Sequence, residues 1–247
     1  MEISRASSNN KDFFVDAHCH LYEFSTVEIE KFGEFKILAV SDDLSSSIKT
    51  INLSRIYLNV IPCIGIHPWE INEESVKQLE RLKQFLPKIK CLGEIGLDKR
   101  FVPKTYKLQL KIFQEFLENA RNYNLLVNLH AAGAWREVYN LVKKYDVSRA
   151  IFHWYSGPLD LLREIVDSGY YITINPTVVI NKKHMQALKQ ASIENILTES
   201  DGPYKYRRFD LRPELIKNTI KVIAQVKNIN VEQVKKQILY NFNKLFK

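Results

Sequence analysis

Short, unbroken apolar runs such as Phe35 to Val40 alternate along the chain with longer stretches in which apolar residues recur at helical spacing. The runs predict strands at about 12–18, 35–40, 57–66, 91–95, 125–129, 149–152, 170–174 and 195–198. The periodic stretches predict helices at about 45–55, 73–86, 104–123, 134–145, 158–168, 182–191, 212–227 and 231–246. Ser45 or Ser46 is the expected cap of the first helix, and Pro158 opens the fifth. Val76, Leu79, Leu82, Phe85 and Leu86 share one predicted helical face, and Leu110, Phe113, Leu117 and Ala120 share the next. Strand followed by helix, repeated throughout, implies a parallel sheet, and strands apolar along their whole length imply that both faces are covered. Eight such repeats in 247 residues predict an α/β fold: a single, slightly irregular (β/α)8 TIM-type barrel with an extra C-terminal helix. An open doubly wound sheet is the alternative, but its phosphate loop, GxGxxG after the first strand, is absent. Residues 1–11 are polar and read as a frayed terminus, leaving 12–247 as one domain.

Composition narrows the class. With 8 Gly and 8 Pro the chain is neither fibrous nor disordered. Its 36 basic and 28 acidic residues leave a net charge of +8, which favours anionic partners, nucleic acid above all; the alternative is that lysine only solubilises the helices. Cys19, Cys63 and Cys91 are odd in number and unpatterned in spacing, so no full disulfide framework is expected, and a reducing compartment is the simpler reading. The opening MEISRASSNNKDFF lacks a signal-type apolar core, and no run approaches the ~20 apolar residues of a membrane span. A soluble, cytoplasmic protein is expected.

Barrel chemistry sits where strands end at the C-terminal face, and five of the six histidines fall there. Asp16-Ala17-His18-Cys19-His20 follows the first apolar run; in a regular strand Asp16, His18 and His20 share a face. His67 follows the third strand, His130 the fifth and His153 the sixth, while Glu199 and Asp201 follow the eighth. Only His184 stands apart, in a polar helix start. Glu94 lies within the apolar fourth strand, where a carboxylate is costly unless it is paired or holds a cation. Its two oxygens can bridge two ions about 3.5–4 Å apart.

Six ordered motifs, DAHCHL (16–21), GIHPWE (65–70), GEIGLD (93–98), VNLH (127–130), FHWYSG (152–157) and TESDGPY (198–204), make the chain resemble the TatD family of metal-dependent deoxyribonucleases, a branch of the amidohydrolase-like barrels. The resemblance implies two divalent ions, and mixed nitrogen and oxygen ligands admit Zn, Mn, Mg or Fe. His18, His20 and Asp201 would hold one, His130 and His153 the other, with Glu94 bridging. It also implies DNA, single-stranded DNA in particular, as substrate, with His67 facing the cleft near the phosphate. Trp154, Tyr155 and Tyr204 are expected on the pocket rim, where aromatic rings suit base stacking. In place of the family's Ser-Arg-type segment, Ala131-Ala132-Gly133-Ala134-Trp135 follows His130. Arg207, Arg208 or Lys205, just beyond Asp201, are candidates for the anion contact instead. Asp201 is the expected general base, with Glu94 beside it in the catalytic set, and Asp16 and Glu199 are expected to orient histidines.

Two other readings keep the barrel. A related binuclear hydrolase would act on a small ester, amide or phosphoester, since fold does not fix function. Many such sites bridge through a modified lysine at the fourth strand, where this chain has Glu94. A degenerate barrel would be a non-catalytic, metal-stabilised interaction module in a nucleic-acid or defence complex.

Overall fold

The structure, a computed structural model, describes residues 13–247. The frayed terminus expected over 1–11 lies outside the described residues. Eight strands, β1 (Phe14–Cys19), β2 (Phe35–Ala39), β3 (Val60–Ile64), β4 (Cys91–Gly96), β5 (Leu126–His130), β6 (Ala150–Phe152), β7 (Tyr171–Ile174) and β8 (Ile196–Thr198), lie side by side in chain order. Every neighbouring pair from β1 to β8 is parallel. Around them run α1 (Thr26–Ile29), α2 (Leu44–Ile56), α3 (Ser75–Lys83), α4 (Tyr106–Asn122), α5 (Trp135–Lys144), α6 (Leu159–Asp167), α7 (Lys182–Gln190), α8 (Ile216–Lys227) and α9 (Val231–Lys244). This is the TIM-type barrel expected from the alternation of strand and helix.

The seam between β8 and β1 is closed by a run of hydrogen bonds. Thr198 Oγ1 donates to the Val15 carbonyl at 2.6 Å, and the Ser200 amide to Asp16 Oδ1 at 2.9 Å. The Asp201 amide donates to the His18 carbonyl at 2.9 Å, and the His20 amide to the Gly202 carbonyl at 2.8 Å. Residues 180 positions apart in sequence order thereby share one wall, and that wall carries His18, His20 and Asp201.

Strand register is disturbed at two places: between Asp16 and Cys19 in the β1–β2 pair, and between Leu92 and Ile95 in the β4–β5 pair. Such irregularities re-aim side chains, and here they flank His18 and Glu94. Gly96, opposite His130 in the β4–β5 register, has φ +149°, and a Cβ there would meet the His130 carbonyl oxygen at 1.9 Å. Only glycine lets β4 approach β5 this closely.

Local chemistry explains several element boundaries. Asp43, rather than Ser45 or Ser46, caps α2: its carboxylate accepts the Ser46 amide at 2.7 Å, and the Ser46 hydroxyl reaches back to the Asp43 amide at 2.9 Å. A single left-handed residue, Asn228 (φ +53°), stops α8, and Asn230 caps α9. In α3, Leu79 and Leu82 are buried but Val76 is exposed, so the apolar stripe is narrower than its spacing suggests. Cys63 and Cys91, partners in the β3–β4 register, form a disulfide 28 residues apart, while Cys19 is buried and free. Sequence spacing carries no hint of this pair; strand register makes it. After β8 comes a small hairpin absent from the sequence reading, β9 (Lys205–Tyr206) and β10 (Phe209–Asp210), with Arg207 and Arg208 at its tip. No helix among the described residues is long and apolar enough to cross a membrane.

Candidate metal centre

Six of the predicted side chains converge on Glu94, which is almost wholly buried. Its two oxygens face different groups. Oε2 lies 3.1 Å from His18 Nε2 and 3.5 Å from His20 Nε2. Asp201 Oδ1 completes this side, 3.4 Å from His18 Nε2 and 3.5 Å from His20 Nε2. Oε1 lies 2.8 Å from His130 Nδ1, 2.9 Å from His153 Nε2 and 3.2 Å from His67 Nε2. The His18 and His20 Nε2 atoms are themselves 3.4 Å apart. A tetrahedral shell with bonds of about 2.0–2.1 Å has edges of about 3.4 Å, so the spacings among His18, His20 and Asp201 suit a divalent cation, with Glu94 Oε2 close to both imidazoles; His67, Glu94 and His130 form a second group with the same potential.

The outer nitrogen of each ring decides what its inner nitrogen can do. His18 Nδ1 meets Asn128 Oδ1 at 2.8 Å, an acceptor that Asn128 keeps oriented by donating to the Ala17 carbonyl at 2.8 Å. His20 Nδ1 faces Asp42 Oδ1 at 3.1 Å, and the Tyr22 hydroxyl donates to the other Asp42 oxygen. His130 Nε2 donates to Asp98 Oδ2 at 3.0 Å, while Trp69 Nε1 donates to the same oxygen at 2.6 Å. His153 Nδ1 faces Glu199 Oε2 at 3.7 Å. Where the outer nitrogen is hydrogen-bonded to an acceptor, as at His18 and His130, a neutral imidazole carries its proton there and turns a lone pair inward, the tautomer a metal requires.

His67 is the reverse case. Its Nδ1 accepts the Trp69 amide at 3.2 Å, so the neutral ring carries its proton on Nε2, the atom aimed at Glu94. It presents an N–H, not a lone pair, to the centre. The sequence reading placed His67 at the cleft without anticipating this direct approach to Glu94.

Charges reinforce one another in the cluster. Burial alone would raise the Glu94 carboxyl, but His67, His153 and His18 hold it well below the usual range. Asp201 is likewise held low against burial, by His18 and His20. Burial would depress His130, yet Asp98 and Glu94 lift it to about 9. Buried imidazoles with this affinity for positive charge give up protons when a cation takes their place, which makes cation binding pH-dependent.

Other expectations meet mixed outcomes. Glu199 is fully buried; its Oε1 accepts the Trp154 amide at 3.0 Å and Asn175 Nδ2 at 3.2 Å, leaving Oε2 toward His153. Asp16 touches no imidazole: Oδ1 accepts the Ser200 amide and, at 3.3 Å, the His18 amide. Burial raises its carboxyl to about 7. The register shift after Asp16 removes the regular alternation on which the shared face depended. Tyr155 is not on the rim. It is fully buried, packs on Trp135 at 4.8 Å and donates to the Pro158 carbonyl at 2.6 Å. Trp154 has φ +43°, and this left-handed turn sends the two neighbours opposite ways. Trp154 and the exposed Tyr204 stay at the mouth, 6.3 Å apart, and Tyr206 of the hairpin packs on Trp154 at 5.2 Å. Arg207 and Arg208 are exposed at the hairpin tip. His184 is buried and structural, accepting the Asn175 amide at 3.1 Å and donating to the Tyr155 carbonyl at 2.8 Å. Asn128, Asp42 and Asp98 were missed in the sequence, although a polar residue inside the apolar run Leu125 to Leu129 was a usable signal for Asn128.

Comparison with known proteins agrees with this geometry. Residues 15–247 match the family model for TatD related DNase. The chain is 30% identical over 248 residues to a metal-dependent hydrolase of Methanocaldococcus jannaschii, covering 95% of this chain and 97% of that protein. It is 29% identical to the human deoxyribonuclease TATDN3, covering 94% of each. A TatD homologue from Escherichia coli has the same fold, with a TM-score of 0.85 at 23% identity over 94% of this chain and 97% of that one. A carboxylate shared between two histidine groups, on a barrel matched along nearly its whole length, places this chain in the TatD-related DNase family as a metal-dependent hydrolase of the deoxyribonuclease type.

Proposed function

We propose that the chain cleaves phosphodiester bonds of DNA, single-stranded DNA above all, with two divalent ions held on either side of Glu94. The observation that carries this reading is the division of labour at that carboxylate: one oxygen turned to His18, His20 and Asp201, the other to His130 and His153. Mixed nitrogen and oxygen donors suit Zn, Mn or Mg. When bound, such ions supply Lewis acidity to the phosphoryl group and make water acidic enough to attack near neutral pH.

The chain's own groups do the rest. Asp201, ionised and within 3.5 Å of His20 Nε2, is placed to take the proton of the attacking water. The inward N–H of His67 is a donor for a non-bridging phosphate oxygen, where charge grows in the transition state. Asn128 and Asp98 hold the His18 and His130 rings in the tautomer that leaves their inner nitrogens free, while Asp42 and Glu199 face the outer nitrogens of His20 and His153 as counter-charges. No protein nucleophile is needed, and Cys19 is buried. The family relationship and the net charge of +8 support a polyanionic substrate.

Digestion of end-labelled single-stranded DNA with Mg, Mn or Zn, and with chelator, tests the reading. Ion-dependent shortening of the strand, abolished by chelator, is the expected result. Intact DNA under every ion, with turnover of small esters or amides, would move the chain to a different substrate class.

A further inference from the structure

Two large aromatic side chains stand exposed beside the centre, and their ring faces take no part in the chemistry assigned above. Trp69 follows His67 on the loop after β3, and Phe101 lies on the loop after β4; they are 44% and 59% exposed. Single exposed aromatics need no explanation, but these form a unit, with ring centroids 5.8 Å apart at 74°. Trp69 also lies against the histidines, 5.2 Å from His67 and 6.4 Å from His130 between ring centroids. Its indole N–H is fixed on Asp98, the same oxygen that holds His130, so the ring is aimed before anything binds. The Arg100 guanidinium lies over Phe101 at 5.1 Å and makes no ion pair among the described residues. Gly133, in the small-residue segment after His130, lies beside Arg100: a Cβ added there would meet Arg100 Cβ at 3.5 Å.

In a barrel ordered β1 to β8, β8 lies across from β4, so the loop after β4 faces the one after β8; the loops after β6 and β8 form a second pair on the rim. The second pair carries a matching set: Trp154 with Tyr204 and Tyr206, and Arg207 over Tyr206 at 5.6 Å. The rim around the histidine–carboxylate centre therefore carries two aromatic groups, each with an arginine.

We propose that Trp69 and Phe101, with Arg100 beside them, form a base-stacking ledge for an unpaired nucleotide next to the scissile phosphate, separate from the Trp154 group. The proposal rests on the nuclease reading and extends it: the preferred substrate has unpaired bases on both sides of the bond cut. A flat aromatic surface binds any base through its π-face, and a neighbouring guanidinium adds cation–π and phosphate contacts. A protein partner is disfavoured by the unpaired cation and by the position at the entrance to a hydrolytic centre.

The test uses the metal-loaded protein and two substrates, a single-stranded oligonucleotide carrying 2-aminopurine and the base-free diester methyl p-nitrophenyl phosphate. Phe101→Ala should lower the ratio of kcat/KM for oligonucleotide over base-free diester about ten-fold and weaken 2-aminopurine quenching on binding. Phe101→Tyr should restore both. Arg100→Ala should reduce the salt dependence of oligonucleotide binding by about one counterion. An unchanged ratio in Phe101→Ala, with wild-type protein still cutting DNA, would overturn the ledge alone. Wild-type protein that turns over the base-free diester but neither binds nor cuts the oligonucleotide would overturn the ledge and the nuclease reading together.

Discussion

The two halves of the donor cluster are built differently. On the Oε2 side of Glu94, His18, His20 and Asp201 come from the seam between β1 and β8, where backbone hydrogen bonds from Asp201 to His18 and from His20 to Gly202 tie the contributors together. With Glu94 they make four inward donors. On the Oε1 side, His130 and His153 come from separate strands, and the third neighbour, His67, offers an N–H because Trp69 donates to its other nitrogen. On the proposed reading the first half would be a closed cage and the second would keep a place for a reactant. Residue type alone does not separate the two roles, since five of the residues involved are histidines. The partner of each outer nitrogen does.

Removing the shared carboxylate should have the largest effect. Glu94→Gln should cost about 10³-fold in kcat/KM, the upper range for losing a preorganised electrostatic group, and should reduce bound metal while the far-UV spectrum stays barrel-like. Full activity would remove the bridging role. Changes outside the inner ring should be smaller and unequal. Asp98→Asn weakens the orientation of His130 in the open half, so metal affinity there should fall by about 10–100-fold. Asn128→Leu, acting on His18 in the closed half, should cost less, because the seam hydrogen bonds still position that residue. Competition with a chromophoric chelator measures both; equal losses would erase the proposed difference between the halves.

Much of this was legible in the sequence. The barrel follows from strands that are apolar along their length, and the candidate ligands follow from histidines placed where those strands end. Glu94 drew attention as a carboxylate among Leu92, Ile95 and Leu97. What could not be read was long-range contact. Asp42 and Asp98 look like ordinary loop acids until folding brings them to His20 and His130. Asp16 failed as an imidazole partner because strand alternation assumes regular pairing, and β1 loses its register at that point. Tyr155 failed as a rim residue because one left-handed residue reverses the direction of the chain. The ledge at Trp69 and Phe101 is invisible in sequence because its members belong to different loops.

Anomalous X-ray scattering from crystals grown with Mn or Zn tests the central claim most directly. The account predicts two peaks about 3.5–4 Å apart astride Glu94. One should be bonded by Nε2 of His18 and His20, the other by Nδ1 of His130 and Nε2 of His153, and neither by His67. A single peak, or a bond from His67 Nε2 to either ion, would contradict it.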